Sequence, residues 1–346
     1  MPNPQITSQR NQSMELCKLA AAVFVVLIHC RFPGNLGRVM DCLARFAVPL
    51  FFAISGSFSL GADERKLRKR FFRILRLELA ASALYLAWRC LLAVSWGGNA
   101  ADALLSSLPD GGGLLQWLLL SCNPFAGHLW YLSALALCYG VIWCYVNLFG
   151  QNYRPLYLTG AILLTLHLIL GEFAGMLGFV IDFRLYRSGI LFGLPMFLLG
   201  MALKQYGQRL WTRLNLTPRK LWLVILAGAA LSLVQKWTLG MGELPLGTLA
   251  EVAALLLLLM ARPVLTTSPE KSRRIERSGR MSATVYILHL LILEGYERFF
   301  LLGRESVMET WLRPVVIIVL SLLAAALWDW VHGLTKQNRK VSGGIC

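Results

Sequence analysis

Apolar runs close to the length needed to cross a bilayer repeat along this chain, at 14–31, 39–60, 72–96, 128–149, 155–170, 188–206, 218–239, 245–264, 281–302 and 312–333. A helix needs about 20 mostly apolar residues to cross the hydrocarbon core. In that core every backbone N–H and C=O must be satisfied within the segment, which a helix achieves and an open strand does not. The runs therefore predict an all-α, polytopic membrane protein, about ten transmembrane helices packed around a polar cavity. The stretch 113–122 is too short to span and reads as an interfacial or re-entrant piece. The chain divides into an N-terminal segment 1–13, a membrane domain 14–333 and a tail 334–346. With 57% of its 346 residues hydrophobic and 15% charged, it leaves no hydrophilic stretch long enough for a separate soluble catalytic domain.

The formal net charge of +16 raises the question of a nucleic-acid partner, and its distribution answers against one. The basic residues gather at Arg65-Lys66, Lys69-Arg70, Arg73 and Arg76, in the loop 204–220, and at Lys271, Arg273-Arg274, Arg277 and Arg280. The long loop 97–127 has no Lys or Arg. This is the positive-inside pattern. It places both termini and segments 61–71, 207–217 and 265–280 in the cytoplasm, with 97–127 outside. Membrane lipids are the first partner implied, through anionic headgroups; the same cations also suit an anionic cofactor. No A-x-A-type cleavage site follows the first run, which reads as a retained anchor rather than a signal peptide. The eight cysteines follow no C-x-x-C spacing, so neither a disulfide framework nor a metal site is expected. No phosphate-binding glycine loop, H-E-x-x-H or G-x-S-x-G is present.

Polar residues inside the runs are costly and mark sites or pathways. The first run holds Glu15, Lys18 and His29. Glu15 and Lys18 are i,i+3 neighbours able to pair. Lys18 and His29 lie eleven residues apart, within roughly 20° of one helix face and about 16 Å along the axis. That stripe fits a transfer across the membrane, and equally a snorkelling lysine with a packed histidine. The second run holds Arg45, Pro49 and Ser55-Gly56; the proline should kink the helix and free carbonyls to line a cavity, or serve structure alone. His128-Leu-Trp130-Tyr131 opens the fourth run, as an aromatic belt or an acceptor contact. Arg187 stands at an outer entrance, where it could orient an anionic or hydroxyl-rich substrate or be a simple loop charge. His167 lies alone in its run and reads as structural. Tyr286 and His289 are i,i+3 in the ninth run, with packing and site roles both open.

These residues resemble the membrane-bound acyltransferase 3 family. In that family the first span carries an arginine, ten residues and a histidine; here the matching pair is Lys18 and His29, with Glu15 at the acidic position three before. Arg45-Phe-Ala-Val-Pro-Leu-Phe-Phe-Ala-Ile-Ser-Gly56 is similar to its second span. Lys69-Arg70-Phe-Phe-Arg73 is similar to its arginine motif. His128-Leu-Trp130-Tyr131, Arg187-Ser-Gly-Ile through Pro195, and Tyr286-Ile-Leu-His289 follow in order. The likeness covers essentially the whole chain, and within the family it is nearest to O-acetyltransferases and to the membrane domain of vancomycin-resistance serine racemases. It implies a multi-pass enzyme of the cell (inner) membrane that moves an acyl group, most readily acetyl, from cytoplasmic acetyl-CoA to a hydroxyl of an envelope glycan or lipid-linked saccharide. His29 would be base or acyl carrier, helped by Lys18 and Glu15. Arg45 or Ser55 would meet the developing oxyanion. Lys69, Arg70 and Arg73 would hold the donor's phosphates, and His128, Trp130, Arg187 and His289 the acceptor. Two other readings stay open, a small-molecule transporter (for serine, for instance) and a non-catalytic partner that presents glycan.

Overall fold

The computed structural model describes residues 11–240, 242–301 and 306–342, with side chains as far as Gly333. Most of the expected segment 1–13 and the end of the tail 334–346 lie outside the described residues. The α-helices, in chain order, are α1 (Gln12–His29), α2 (Gly34–Ala44), α3 (Ala47–Ser57), α4 (Glu64–Ser95), α5 (Ala100–Ser107), α6 (Gly111–Leu120), α7 (Trp130–Phe149), α8 (Arg154–His167), α9 (Ala174–Met176), α10 (Phe183–Tyr186), α11 (Leu194–Arg213), α12 (Pro218–Thr238), α13 (Leu246–Ala261), α14 (Pro269–Tyr296) and α15 (Val307–Ser342). Wider π turns at Leu168–Phe173, Gly189–Gly193 and Glu297–Leu301 continue three of them. No strand occurs among the described residues.

Eight of these helical segments are long and apolar enough to cross a membrane: Gln12–His29, Gly34–Ser57, Glu64–Ser95, Gly127–Phe149, Arg154–Met176, Gly189–Arg213, Pro218–Thr238 and Val307–Gly333. The chain is a polytopic membrane protein. The other two expected spans are also helical but fall outside this group. α13 has only 16 residues, and α14 carries Arg280, His289 and Glu294 within its apolar part.

Several boundaries move for identifiable reasons. The second span is interrupted before its proline: α2 ends at Ala44 and α3 begins at Ala47. Pro49 has no N–H to give to the Arg45 carbonyl four residues back, so the ladder fails there. α4 starts at Glu64, because Asp63 caps it with Oδ1 accepting from the Lys66 N–H at 2.8 Å. That hydrogen bond holds the Asp63 carboxyl below its ordinary range. The basic cluster is thus the opening of a 32-residue helix. At 1.5 Å per residue it is about 48 Å long, more than the roughly 30 Å of hydrocarbon, so its charged turns need not enter lipid. The fifth span runs on to Met176 through the π turn, which brings Glu172 into the helix. α6 is the short piece expected near 113–122, closed by Ser121 in the left-handed region at φ 59°. α15 continues as helix to Ser342, into the expected tail.

The chain forms two compact units. In the first, made of the described residues to Ala47 and from Leu258, α14 packs along α1 and α15, and α2 against α1. Gln12 ties the start of α1 to the segment before α14. Its Nε2 donates to the Thr266 carbonyl at 3.0 Å, and its Oε1 accepts from the Leu265 and Thr266 N–H groups at 2.8 and 2.9 Å. Gly279 lets α14 lie against the Glu15 side chain, whose carboxylate a Cβ there would overlap. In the second unit, Val48–Leu257, α4 packs on α7 and α8 on α11. α3 and α11 touch backbone to backbone: a Cβ on Gly56 would overlap the Phe197 carbonyl, and one on Gly200 the Ala53 carbonyl. Gly228 and Gly247 do the same for α12 and α13.

Candidate functional site

The first unit holds Glu15, Lys18, His29, Arg45 and His289. Glu15 is buried, and the Lys18 ammonium sits 2.8 Å from its carboxylate. Three turns on, His29 is the last residue of α1 and its side chain is exposed. The imidazole of His289, from α14, lies beside it with ring centroids 5.1 Å apart and planes tilted by 46°. His289 is wholly buried, with Tyr286 at 6.2 Å centroid to centroid. The end of α1 and the Tyr286–His289 pair of α14 therefore meet at one histidine pair. Arg45 pairs with Asp41 at 3.2 Å, and Arg31 reaches the same carboxylate at 3.3 Å. Asp41 is buried and was not singled out by sequence; its signal was its place one helical turn before Arg45.

The second unit holds the remaining candidates. Ser55 lies beside the phenols of Tyr131 and Tyr139. Lys69 faces an open groove of about 630 Å³ with Arg65, Arg68, Phe72 and Arg76. These positions fall at helical spacing on one side of α4. Arg70 points elsewhere: its Nη1 donates to the Phe58 carbonyl at 2.7 Å and to Ser59 Oγ at 3.3 Å, tying α4 to the turn after α3. Arg73 is exposed and does not line the groove. His128 is buried, edge-on to Tyr85 at 5.0 Å. Trp130 meets Arg187, whose guanidinium carbon is 5.7 Å from that ring's centroid and 4.4 Å from the Phe183 ring. Arg187 also pairs with Glu243 at 3.6 Å. Close by, Glu172, Tyr186, Met176 and Leu239 line a cavity of about 210 Å³. In the same region the side chain of Arg184 holds the Asp182 carboxyl below its usual range. No group of metal-ligating side chains is found among the described residues.

A family profile described as an acyltransferase domain matches residues 11–330. The chain belongs to the acyltransferase 3 family. No curated protein and no solved structure matches it.

In this acyltransferase 3 protein two further buried carboxylates, besides Asp41, carry no role in the sequence pattern. Glu172 stands in a π turn, where its Oε1 accepts from the Leu244 N–H at 2.7 Å and its Oε2 from Gln235 Nε2 at 2.8 Å and the Gly242 N–H at 3.2 Å. It pins the turn before α13. It lies just past the end of the apolar run 155–170, outside the predicted span. Glu78 lies within α4 and accepts from Trp117 Nε1 at 2.7 Å and from Ser133 Oγ. One turn on, Ser82 Oγ accepts from Asn123 Nδ2 at 2.8 Å, and Asn123 Oδ1 accepts from the Phe125 and Ala126 N–H groups. Glu78, Ser82 and Tyr85 are spaced i, i+4, i+7, a polar face that the sequence did carry.

This face fastens α6 and the turn that leads to His128. Glu78→Leu is expected to lower stability by about 1–3 kcal/mol, because the buried Ser133 hydroxyl loses its carboxylate acceptor, while the half-buried Trp117 Nε1 keeps Ser133 Oγ at 3.0 Å. Glu78→Gln keeps an acceptor oxygen and should lose much less. Thermal unfolding in detergent compares the two; equal melting points for Leu and Gln would remove the network from the account of stability.

Proposed function

We propose that this membrane acyltransferase moves an acetyl group from cytoplasmic acetyl-CoA to a hydroxyl of an envelope glycan or lipid-linked saccharide at the outer face of the cell membrane. The reading takes both termini and the basic end of α4 as cytoplasmic. The single observation that carries it is the exposed His29 packed against His289 at the end of a span whose other end bears the Lys18–Glu15 pair.

The groove on α4 suits the donor. Its four cations match phosphates, and Phe72 offers a ring face to a base. Bound there, the coenzyme would supply an activated thioester. His29 then takes the proton of the acceptor hydroxyl as its oxygen attacks the carbonyl carbon, and returns that proton to the departing thiolate. A neutral imidazole is suited to this near physiological pH. Lys18 keeps positive charge in the span without an arginine's bidentate fork, and Glu15 fixes its position. The developing oxyanion needs a hydrogen-bond donor, the role that the family resemblance implies for Arg45 or Ser55. On the acceptor side the cation–π platform of Arg187, Trp130 and Phe183, with Glu243, offers the stacking faces and hydrogen-bonding groups that a saccharide needs.

Radiolabelled acetyl transfer by the purified full chain, followed into lipid and glycan fractions, tests this reading. Label in neither fraction, with folded protein, would reject it. Within that assay Arg68→Ala combined with Arg76→Ala should raise KM for acetyl-CoA at least about tenfold, since a charge-assisted contact is worth on the order of 1.5–3 kcal/mol. Arg70→Ala should instead lower the melting temperature and leave KM near wild type. An unchanged KM in the double variant would leave the groove to lipid headgroups.

A further inference from the structure

Glu172 is 2% exposed, and no cation pairs with it among the described residues. Its three partners are N–H groups of Leu244, Gln235 and Gly242, none of them charged. The two arginines at this end of the unit are committed elsewhere, Arg184 to Asp182 at 2.6 Å and Arg187 to Glu243 at 3.6 Å. A carboxylate taken out of water without a counter-charge is costly, and neutral hydrogen bonds offset only part of that cost. It has about four lone-pair directions, so one remains after three N–H bonds. The cavity of about 210 Å³ lies against this carboxylate. Gly242 lines it and donates to Oε2, and a Cβ on Gly242 would overlap Oε1. The rest of the wall is Tyr186, Met176, Leu239 and glycine backbone, with no cation. The π turn Leu168–Phe173 sets Glu172 in this place, and such turns recur at functional sites.

We propose that the Glu172 cavity is a binding site for a primary ammonium group, of the kind that an amino sugar or an ethanolamine headgroup carries. The ammonium donates to the remaining lone pair of the carboxylate and supplies the missing counter-charge. Tyr186 offers a ring to the cation, and Met176 and Leu239 cover the attached carbons. The space equals roughly seven waters at about 30 Å³ each, more than a bare metal ion fills. One carboxylate is also too few oxygen ligands for such an ion. Gln116, from the loop 97–127, accepts from Arg184 Nη1 at 3.2 Å, so the cavity lies at the end of the unit read as outer. Under the acetyl-transfer reading the ammonium belongs to the acceptor. That assignment rests on the reading; the binding itself does not.

Calorimetric titration of the purified full chain in detergent tests the site with glucosamine, ethanolamine and the N-acetyl counterpart of each, which keeps the body and loses the charge. The amines should bind at least about tenfold tighter than the amides, the scale of one charge-assisted hydrogen bond. Bound amine should also slow hydrogen–deuterium exchange in segments 171–176 and 242–244. Tighter glucosamine would make a glycan the source of the ammonium, and tighter ethanolamine a headgroup. Met176 stands four residues after Glu172, so Met176→Lys tethers an ammonium beside the carboxylate. That variant should keep its melting temperature and lose amine affinity by about tenfold or more, while Met176→Gln stays within about threefold of wild type. Equal binding of amines and amides, undiminished amine binding in folded Met176→Lys, or displacement of the amine by an equal concentration of potassium would overturn the proposal. If Met176→Lys does not fold, the amine-against-amide comparison and the exchange pattern decide, and exchange unchanged in both segments would overturn the proposal. If the amines bind and the wild type transfers no acetyl group, the acetyl-transfer reading falls and the ammonium site stands.

Discussion

His29→Ala is expected to reduce acetyl transfer by about 100- to 10,000-fold, the range associated with loss of a general base, while leaving the protein folded. The side chain is exposed at the end of α1, so its removal opens no cavity in a packed core. His167→Ala provides the contrast. That ring has no exposed surface; its Nδ1 donates to the Tyr186 carbonyl at 2.9 Å, and it packs edge-on against Phe192 at 5.1 Å. Its loss should cost stability, by about 1–3 kcal/mol for the hydrogen bond and packing together, and should spare turnover per folded molecule. Specific activity and melting temperature, measured for both variants, must therefore move in opposite patterns. Wild-type specific activity in folded His29→Ala would end the case for α1 as the catalytic span.

The contrast between the two histidines also shows what the sequence could convey. The spacing of Lys18 and His29 on one face of α1 was legible because helix periodicity is fixed. The pairing of Glu15 with Lys18 followed from the same geometry and stands at 2.8 Å. The partner of His29 was not legible, because His289 comes from a span 260 residues further along the chain and only packing of α14 on α1 brings them together. The apolar runs located the helices, since hydrocarbon leaves the backbone no other choice. They could not fix the ends. Asp63 caps α4 well before the apolar run begins, and a π turn carries the fifth span past residue 170. The division of labour among the cations was likewise hidden. Density of charge marked the region 65–76, but only side-chain direction separates Lys69 in the groove from Arg70 bonded to Phe58. Glu78 was overlooked for a simpler reason: a single carboxylate in a long run does little to the average hydropathy, although its cost in the membrane makes it one of the most informative residues there.

Gly56→Leu is expected to prevent accumulation of folded protein, at a cost above about 4–5 kcal/mol. Overpacking a core typically costs 1–3 kcal/mol because side chains and short backbone shifts absorb the intrusion. Here the intruding Cβ would overlap a main-chain carbonyl, that of Phe197, and no rotamer change can move it. α3 and α11 would have to separate along the stretch where Phe52, Met196, Phe197 and Met201 are fully buried. Even Gly56→Ala should therefore be severe, and Gly200→Ala similarly so, since its Cβ meets the Ala53 carbonyl one turn along the same contact. One separation of the two helices would relieve both clashes. The double variant should then be less destabilised than the sum of the single variants, a coupling expected of sites that share one backbone shift. Gly175→Ala, in α9 with no heavy atom within 4 Å of the added carbon, is the control and should be neutral. Ser55, beside Tyr131 and Tyr139, precedes Gly56 on α3, so any Gly56→Ala protein that does fold should also lose acetyl transfer through displacement of that hydroxyl. A wild-type melting point for Gly56→Ala would mean that the two helices do not meet backbone to backbone, and the role of the Ser55-Gly56 pair would have to be sought in chemistry rather than packing.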